Sequence, residues 1–407
     1  MKNILLFDLE TTGHHSSYIY YLINYWRKHG LEGTLHVVVA PQFLEQHSDI
    51  VAIASTSTAS HIQFTAITPT EYETLVSRKN GFWNLKRALQ EWHLLARYAE
   101  RLAADHCLLL YLDRSHLPII LRLHLPCPFS SIYFRPTFHY STFPSYITRR
   151  GENIQAWRER TQIKLGLAHP KAHTLFCLDP FAVEQINQLT GKSQAVYLPD
   201  PVPLTTPLTQ EAATFRNKLE ISVKRKVFLL FGALNRRKGI HEIIEAFHHL
   251  SDEQLKSVCF LIVGKLSNSE AALIQTSLEA LKASRPIQIV LQDDFVSEET
   301  VPTYFHMADI VLAVYQQHVG MSGILVRAAA AEKPTICSDY GLMGEVTRQY
   351  QLGLLVDSKS SDKIAEAIAQ CLDLPAEKLG DFEEMQSFAQ MNSVDNFART
   401  IFDTIAA

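Results

Sequence analysis

The chain has 407 residues, 47% of them hydrophobic and 20% charged, with a formal net charge of -4. That length suits two domains, each with its own core. The mild acidity excludes the basic surplus of a nucleic-acid binder, and no apolar run approaches the roughly 20 residues needed to span a bilayer. In chain order, the first half reads as strands at Ile4–Leu9, Leu35–Val39, Leu108–Leu112, Ser131–Phe134, Thr174–Leu178 and Ala195–Leu198. Amphipathic helices at Tyr18–His29, Phe82–Leu102 and Phe181–Leu189 separate several of them. Asp8 and Glu10 interrupt the first strand, which lacks the charged, apolar and small-residue sections of a secretory signal. A cytoplasmic location is expected, with any membrane contact peripheral.

The stretch Pro199 to Thr209 carries four prolines and no helical pattern, so it reads as a linker. Beyond it the strands are Val227–Phe231, Val258–Val263, Ile287–Leu291, Ile310–Val314 and Thr335–Cys337. Helices read at His241–Leu250, Ala271–Leu281, Glu298–His306, Ile324–Ala331, Asp381–Gln390 and Val394–Ala406. Continuous Val, Ile and Leu runs indicate strands buried on both faces, hence parallel sheets covered by helices. The expected architecture is α/β: two Rossmann-like, doubly wound domains facing a central cleft. Residues 1–200 form the first and 201–385 the second, with 386–407 a closing helix that packs back on the first. The six cysteines are scattered through apolar runs without a CxxC pair, which suits buried free thiols. There is no HExxH or tight His/Cys/Asp cluster, and Gln292–Asp294 reads as an ordinary acidic loop, so no metal site is expected.

Two segments carry chemistry in the second half. In the first, a buried strand ends at Gly232 and a polar turn, Asn235-Arg236-Arg237-Lys238-Gly239, enters a helix. Cations just past a strand's carboxyl end sit where a ligand of such a sheet lies, and a departing diphosphate would need them. Adjacent residues cannot all face one ligand, which singles out Lys238, with Arg237 second. The bland alternative is a solvated basic turn. In the second segment, Gly320-Met321-Ser322-Gly323 opens an alanine-rich helix, and Gly341-Leu342-Met343-Gly344 then leads into another helix at Glu345. Small residues before a helix expose N–H groups at the positive end of its dipole, a natural phosphate site; otherwise the glycines merely turn the chain.

The segments Val227–Phe247, Phe295–Tyr315 and Gly320–Val346 together resemble the nucleotide-sugar half of GT-B glycosyltransferases, most closely the large retaining group called family 4. The resemblance covers about the last 180 residues; the first half is similar only in layout. It implies transfer of a sugar from a nucleoside diphosphate donor, UDP or GDP type, to a hydroxyl acceptor, with no metal and no other cofactor. The acceptor is a saccharide, a lipid-linked glycan or a small molecule. It further implies that Lys238 pairs with the donor diphosphate and that Gly320 to Gly323 hold the sugar and β-phosphate. Glu345 matches the acid of the second Gly turn, and Gly13 the N-terminal loop that closes over the phosphates. The family's two glutamates, Glu–x7–Glu, stand here as Val319 and Arg327, and its loop arginine as Ala233. Sugar recognition then falls to backbone groups, Ser322, His318 or the first domain, while Arg327 neutralises phosphate or meets Glu345. A catalytically inactive module that partners an active transferase, and an epimerase or phosphorylase on the same fold, are the alternatives.

In the first half, Thr11-Thr12-Gly13-His14-His15 leads into a helix. His14 and His15 either donate to phosphate and move a proton or cap a polar turn. Asp113 and Arg135 end strands, where Asp113 is suited to an acceptor hydroxyl and Arg135 to an anion. The stretch Tyr133 to Arg160 mixes aromatics with Arg135, Arg149, Arg150, Arg158 and Arg160, which reads either as a long solvated loop or as a surface for a lipid-linked acceptor.

Overall fold

The computed structural model describes residues 3–55, 61–76, 81–148, 150–204 and 209–407. Arg149 and part of the Pro199–Thr209 stretch lie outside the described residues. The chain divides into two compact units: residues 1–139, 148–201 and 394–407 form the first, and 140–147 with 202–393 form the second.

The first unit is built on seven parallel strands: β1 (Asn3–Asp8), β2 (Thr34–Val39), β3 (Ile62–Ala66), β4 (His106–Leu109), β5 (Phe129–Tyr133), β6 (Ala172–Cys177) and β7 (Ala195–Tyr197). Their order is β3-β2-β1-β4-β5-β6-β7, so the winding reverses between β1 and β4. Successive residues of β1 feed opposite faces. Leu5 and Phe7 join one apolar cluster with Trp92, Leu95 and Tyr98 of helix Gly81–Arg101. Ile4 and Leu6 join the other with Ile19, Leu22 and Trp26 of helix His15–Lys28. Trp92 is thus a core residue. Helix Val394–Ala406 completes the second cluster by burying Phe397, Ile401, Phe402 and Ile405.

The second unit carries six parallel strands: β8 (Lys226–Phe231), β9 (Val258–Val263), β10 (Gln288–Gln292), β11 (Ile310–Ala313), β12 (Thr335–Ser338) and β13 (Gly353–Val356). Their order is β10-β9-β8-β11-β12-β13, with the reversal between β8 and β11. Phe228 and Leu230 of β8 pack with Ile243 and Phe247 of helix Ile240–His249 and with Ile364 and Ile368 of helix Ser361–Asp373.

Strands β3 and β13 are absent from the sequence reading: polar Gln63 and Thr65 interrupt the apolar pattern of β3, and β13 is only four residues long and opens on Gly353. The Tyr133–Arg160 stretch is not one long loop: helix Glu152–Leu167 begins inside it. That helix shows no clear apolar stripe because Ile154 and Trp157 face outward, 72% and 67% exposed. All six cysteines are free and buried. Among the described residues no helix is long and apolar enough to cross a membrane.

Candidate functional site

In open parallel sheets, ligands bind past the carboxyl ends of the strands where the winding reverses. In the second unit β8 leaves that point through Gly232 and β11 through Val314 and Tyr315. Arg236–Lys238 forms one turn of 3-10 helix closed by Gly239. Gly239 has φ +72°, and a Cβ there would lie 2.1 Å from the Val314 carbonyl oxygen, so only glycine lets the turn press onto the β11 exit. That approach buries Lys238 to 4% exposure. Its Nζ donates to the Phe231 carbonyl at 3.0 Å and to Tyr315 Oη, and lies 4.2 Å from the centre of the Tyr315 ring. Burial, with the like charge of Arg237 behind it, pushes the Lys238 ammonium down to about 7. Burial pushes the Tyr315 phenol up to about 12, which keeps it neutral.

Tyr315 also joins the turn to the glycine loop. Ser322 Oγ donates to the same phenol oxygen at 3.2 Å. Arg237 stacks its guanidinium 5.2 Å from the Tyr315 ring centre and donates to His318 Nδ1 at 3.0 Å. Arg236 is exposed. Helix Gly323–Ala330 starts just after Ser322, which occupies the N-cap without making a side-chain cap bond. Its first N–H groups have no partner inside the helix and carry the positive dipole end. Arg237, Lys238 and Ser322 thereby meet at one phenol, with Gly232 against the Lys238 ammonium and a helix start suited to an anion following Ser322.

Two expected donor-side residues have ion-pair partners of their own. Arg327 pairs with Glu298 at 2.6 Å, and Glu345 pairs with Arg348 at 2.6 Å, so the expected Arg327–Glu345 contact is replaced by two others. Gly341 to Gly344 is not a turn before a helix; it is the opening of helix Gly341–Gln349.

The reversal point of the first unit has the opposite character. A cavity of about 170 Å³ is lined by Asp8, Glu10, His15, Trp92, Tyr111 and Arg114, among others. His15 Nδ1 lies 2.6 Å from Asp8 Oδ2, and its ring stacks on Tyr111 with centroids 5.1 Å apart. Asp8 Oδ1 also accepts the Glu10 N–H at 3.0 Å. Burial acts to raise the Glu10 carboxyl, yet the hydrogen bond and charge of Arg114, with Arg87 behind, hold it below its ordinary value. The two histidines, His14 expected as catalytic and His15 as donor-binding, stand in different surroundings. His14 is exposed and caps nothing with its side chain, while His15 lines the cavity. Gly13 is exposed at φ +74°. Asp113 and Arg135 are exposed as well, and Asp113 lines a separate groove with Arg87, His116 and Arg158.

Tyr315, Tyr111 and the Asp8–His15 pairing were not read as site features from the sequence. The signal for Tyr315 was present: a hydroxyl-bearing residue directly after a buried strand, at the same end as the Lys238 turn. Among the described residues no group of three His, Cys, Asp or Glu side chains is gathered to hold a metal ion.

Two doubly wound parallel sheets of this kind resemble the structures of GT-B glycosyltransferases. A glycosyltransferase from Rickettsia africae ESF-5 aligns over 99% of this chain and 97% of its own, with a TM-score of 0.69 and 13% identity. HepE of Anabaena, solved with UDP and glucose, aligns over 100% of both chains with a TM-score of 0.66 and 15% identity. Sucrose-phosphate synthase from Thermosynechococcus elongatus aligns over 100% of this chain and 98% of its own, with a TM-score of 0.70 and 14% identity. Residues 211–387, which hold the Lys238 turn and the glycine loop, match the family described as glycosyl transferases group 1. A Bacillus subtilis (strain 168) protein named "Putative glycosyltransferase YtcC" is 29% identical over 146 residues, 36% of this chain. The match spans about a third of that relative's length, 35%.

Proposed function

We propose that the chain is a glycosyltransferase that moves a sugar from a nucleoside diphosphate donor to a hydroxyl acceptor. The observation that carries this reading is buried Lys238, joined through Tyr315 to the start of helix Gly323–Ala330 at the reversal point of the second sheet. As the bond from sugar to phosphate breaks, negative charge grows on the departing diphosphate. A preorganised ammonium and N–H groups aimed at that charge lower the barrier, and removing one such donor in comparable sites costs about 10²–10³ in rate. These groups supply the positive charge without a metal, which supports metal-independent transfer. The UDP held by HepE favours a uridine donor over a guanosine one. Retention of anomeric configuration rests on the family 4 resemblance. Val319 and Arg327 replace the paired carboxylates, so the donor sugar is recognised by loop N–H groups, Ser322 and His318.

A panel of UDP- and GDP-sugars, read by released nucleoside diphosphate with and without a chelator, tests the proposal. Release stimulated by an acceptor, insensitive to the chelator and giving a product of retained configuration by NMR is the expected result. The missing carboxylates favour one rival, a donor-binding module that partners an active transferase. UDP binding without turnover on any sugar would select it, and no binding of UDP or GDP would remove the donor site altogether.

A further inference from the structure

Residues 140–147 come from the first half of the sequence, between β5 and helix Glu152–Leu167, yet they form one compact unit with residues 202–393. Tyr140 is the anchor of this segment and is 0% exposed. Its Oη accepts the Gly320 N–H at 3.0 Å. Its ring lies against the start of the next helix, where a Cβ on Gly341 would be 3.2 Å from it. Further along, Ser145 Oγ donates to Asp339 Oδ2 at 2.8 Å, and Tyr146 packs on Tyr340 with centroids 5.1 Å apart. The segment therefore reaches both loops that follow β11 and β12.

We propose that Tyr140 is a positioning residue for the donor pyrophosphate: its buried hydroxyl fixes Gly320 so that the N–H groups of Met321, Ser322 and Gly323 converge on the phosphates. This inference rests on the donor site proposed above. Gly320 is buried at φ +93°, a conformation that glycine enters at high entropic cost, and it has no side chain with which to hold itself. One hydrogen bond from a phenol already locked by packing sets the loop before the ligand arrives, which is how preorganisation raises affinity. The Gly320 N–H is thus engaged by Tyr140, and the anion meets the amides that follow it.

The test compares wild type with Tyr140→Phe, which removes the hydroxyl and keeps the ring, and with Ser145→Ala, which releases the second anchor. Hydrogen exchange read by mass spectrometry should accelerate about tenfold in peptides covering His318–Gly323 of Tyr140→Phe and stay unchanged around Arg236–Lys238. The dissociation constant for UDP, by calorimetry, should rise about tenfold in Tyr140→Phe and two- to threefold in Ser145→Ala. With a turned-over donor sugar, kcat/KM should fall at least as far as UDP affinity does. A purely structural tyrosine would lower the melting temperature and leave both kcat/KM and UDP affinity alone, overturning the proposal. Tighter UDP binding in Tyr140→Phe would make the hydroxyl a competitor of the ligand and overturn it too. Equal exchange at His318–Gly323 in the two proteins would overturn it without any ligand. If wild type binds neither UDP nor GDP, the donor reading fails by itself, whatever the exchange experiment shows.

Discussion

The two units share a winding rule and differ in the charge they place at its reversal point. Past β1 the chain presents two carboxylates, Asp8 and Glu10, with His15 held against the first. Past β8 it presents a glycine and then Lys238, and past β11 comes the start of helix Gly323–Ala330, the positive end of its dipole. In the first unit Arg114 neutralises Glu10, which leaves the Asp8–His15 pair to hydrogen-bond hydroxyl groups. In the second a buried ammonium beside a helix start attracts phosphate. One topology therefore supports two opposite ligand chemistries, and a handful of residues just beyond the strands decides which. On that difference rests a division of labour that the variants below test, with the diphosphate in the second unit and hydroxyl chemistry in the first.

The largest expected effect is from Lys238→Ala. Turnover should fall by about 10³ or more and UDP affinity by about 10², with the fold retained by circular dichroism. Undiminished turnover would take the diphosphate away from Lys238. The pH dependence sharpens the same point. Lys238 sits at about 7 in the folded protein against an ordinary 10.5. Below pH 7 the cation is already present; above it, binding a diphosphate requires uptake of a proton. UDP affinity should therefore weaken between pH 7 and 9, by up to about tenfold per unit, and this slope should vanish in Lys238→Ala. Stability of the empty protein runs the other way. A depressed value means the unfolded chain binds the proton more tightly, so the stability from neutral Lys238 is present above 10.5 and is lost as pH falls through 7. Lys238→Met should flatten that dependence in denaturant titrations at pH 6 and pH 9.

A smaller effect should follow from Asp8→Asn, and it should fall on the other side of the comparison. The substitution keeps the shape and removes the charge that orients His15. Turnover with a saturating donor should drop about 10- to 100-fold, in the range of a lost acid–base contribution. UDP affinity should stay within twofold. A loss of UDP affinity equal to that of Lys238→Ala would erase the proposed division between the units.

The doubly wound sheets were legible because strands buried on both faces leave continuous apolar runs, and β9 falls at the residues the sequence marks, Val258–Val263. The edge strands β3 and β13 were not, since Gln63 and Thr65 break the apolar run of the first and the second is a four-residue strand opening on Gly353. The site divides in the same way. Local chemistry was readable: a cationic turn after β8, and small residues before helix Gly323–Ala330. Pairings between distant segments were not. Nothing near Tyr140 in sequence announces Gly320, 180 positions away, as its partner. His14 and His15 were likewise equal by composition, and only the fold shows which of them meets Asp8.

The smallest expected effect concerns Arg327, which stands where the resemblance places a carboxylate. The sequence offered it to the phosphates or to Glu345, and the structure gives it to Glu298 at 2.6 Å, a partner that is 65% exposed. An ion pair with one arm so open to water is worth less than about 1 kcal/mol. Glu298→Ala should therefore change stability by no more than that and, if Arg327 stays clear of the donor, leave UDP affinity unchanged. Should the variant bind UDP several-fold more tightly, Glu298 has been holding Arg327 away from a phosphate it can reach. The cation in place of the family glutamate would then belong to the donor site and would enlarge the contrast between the two reversal points.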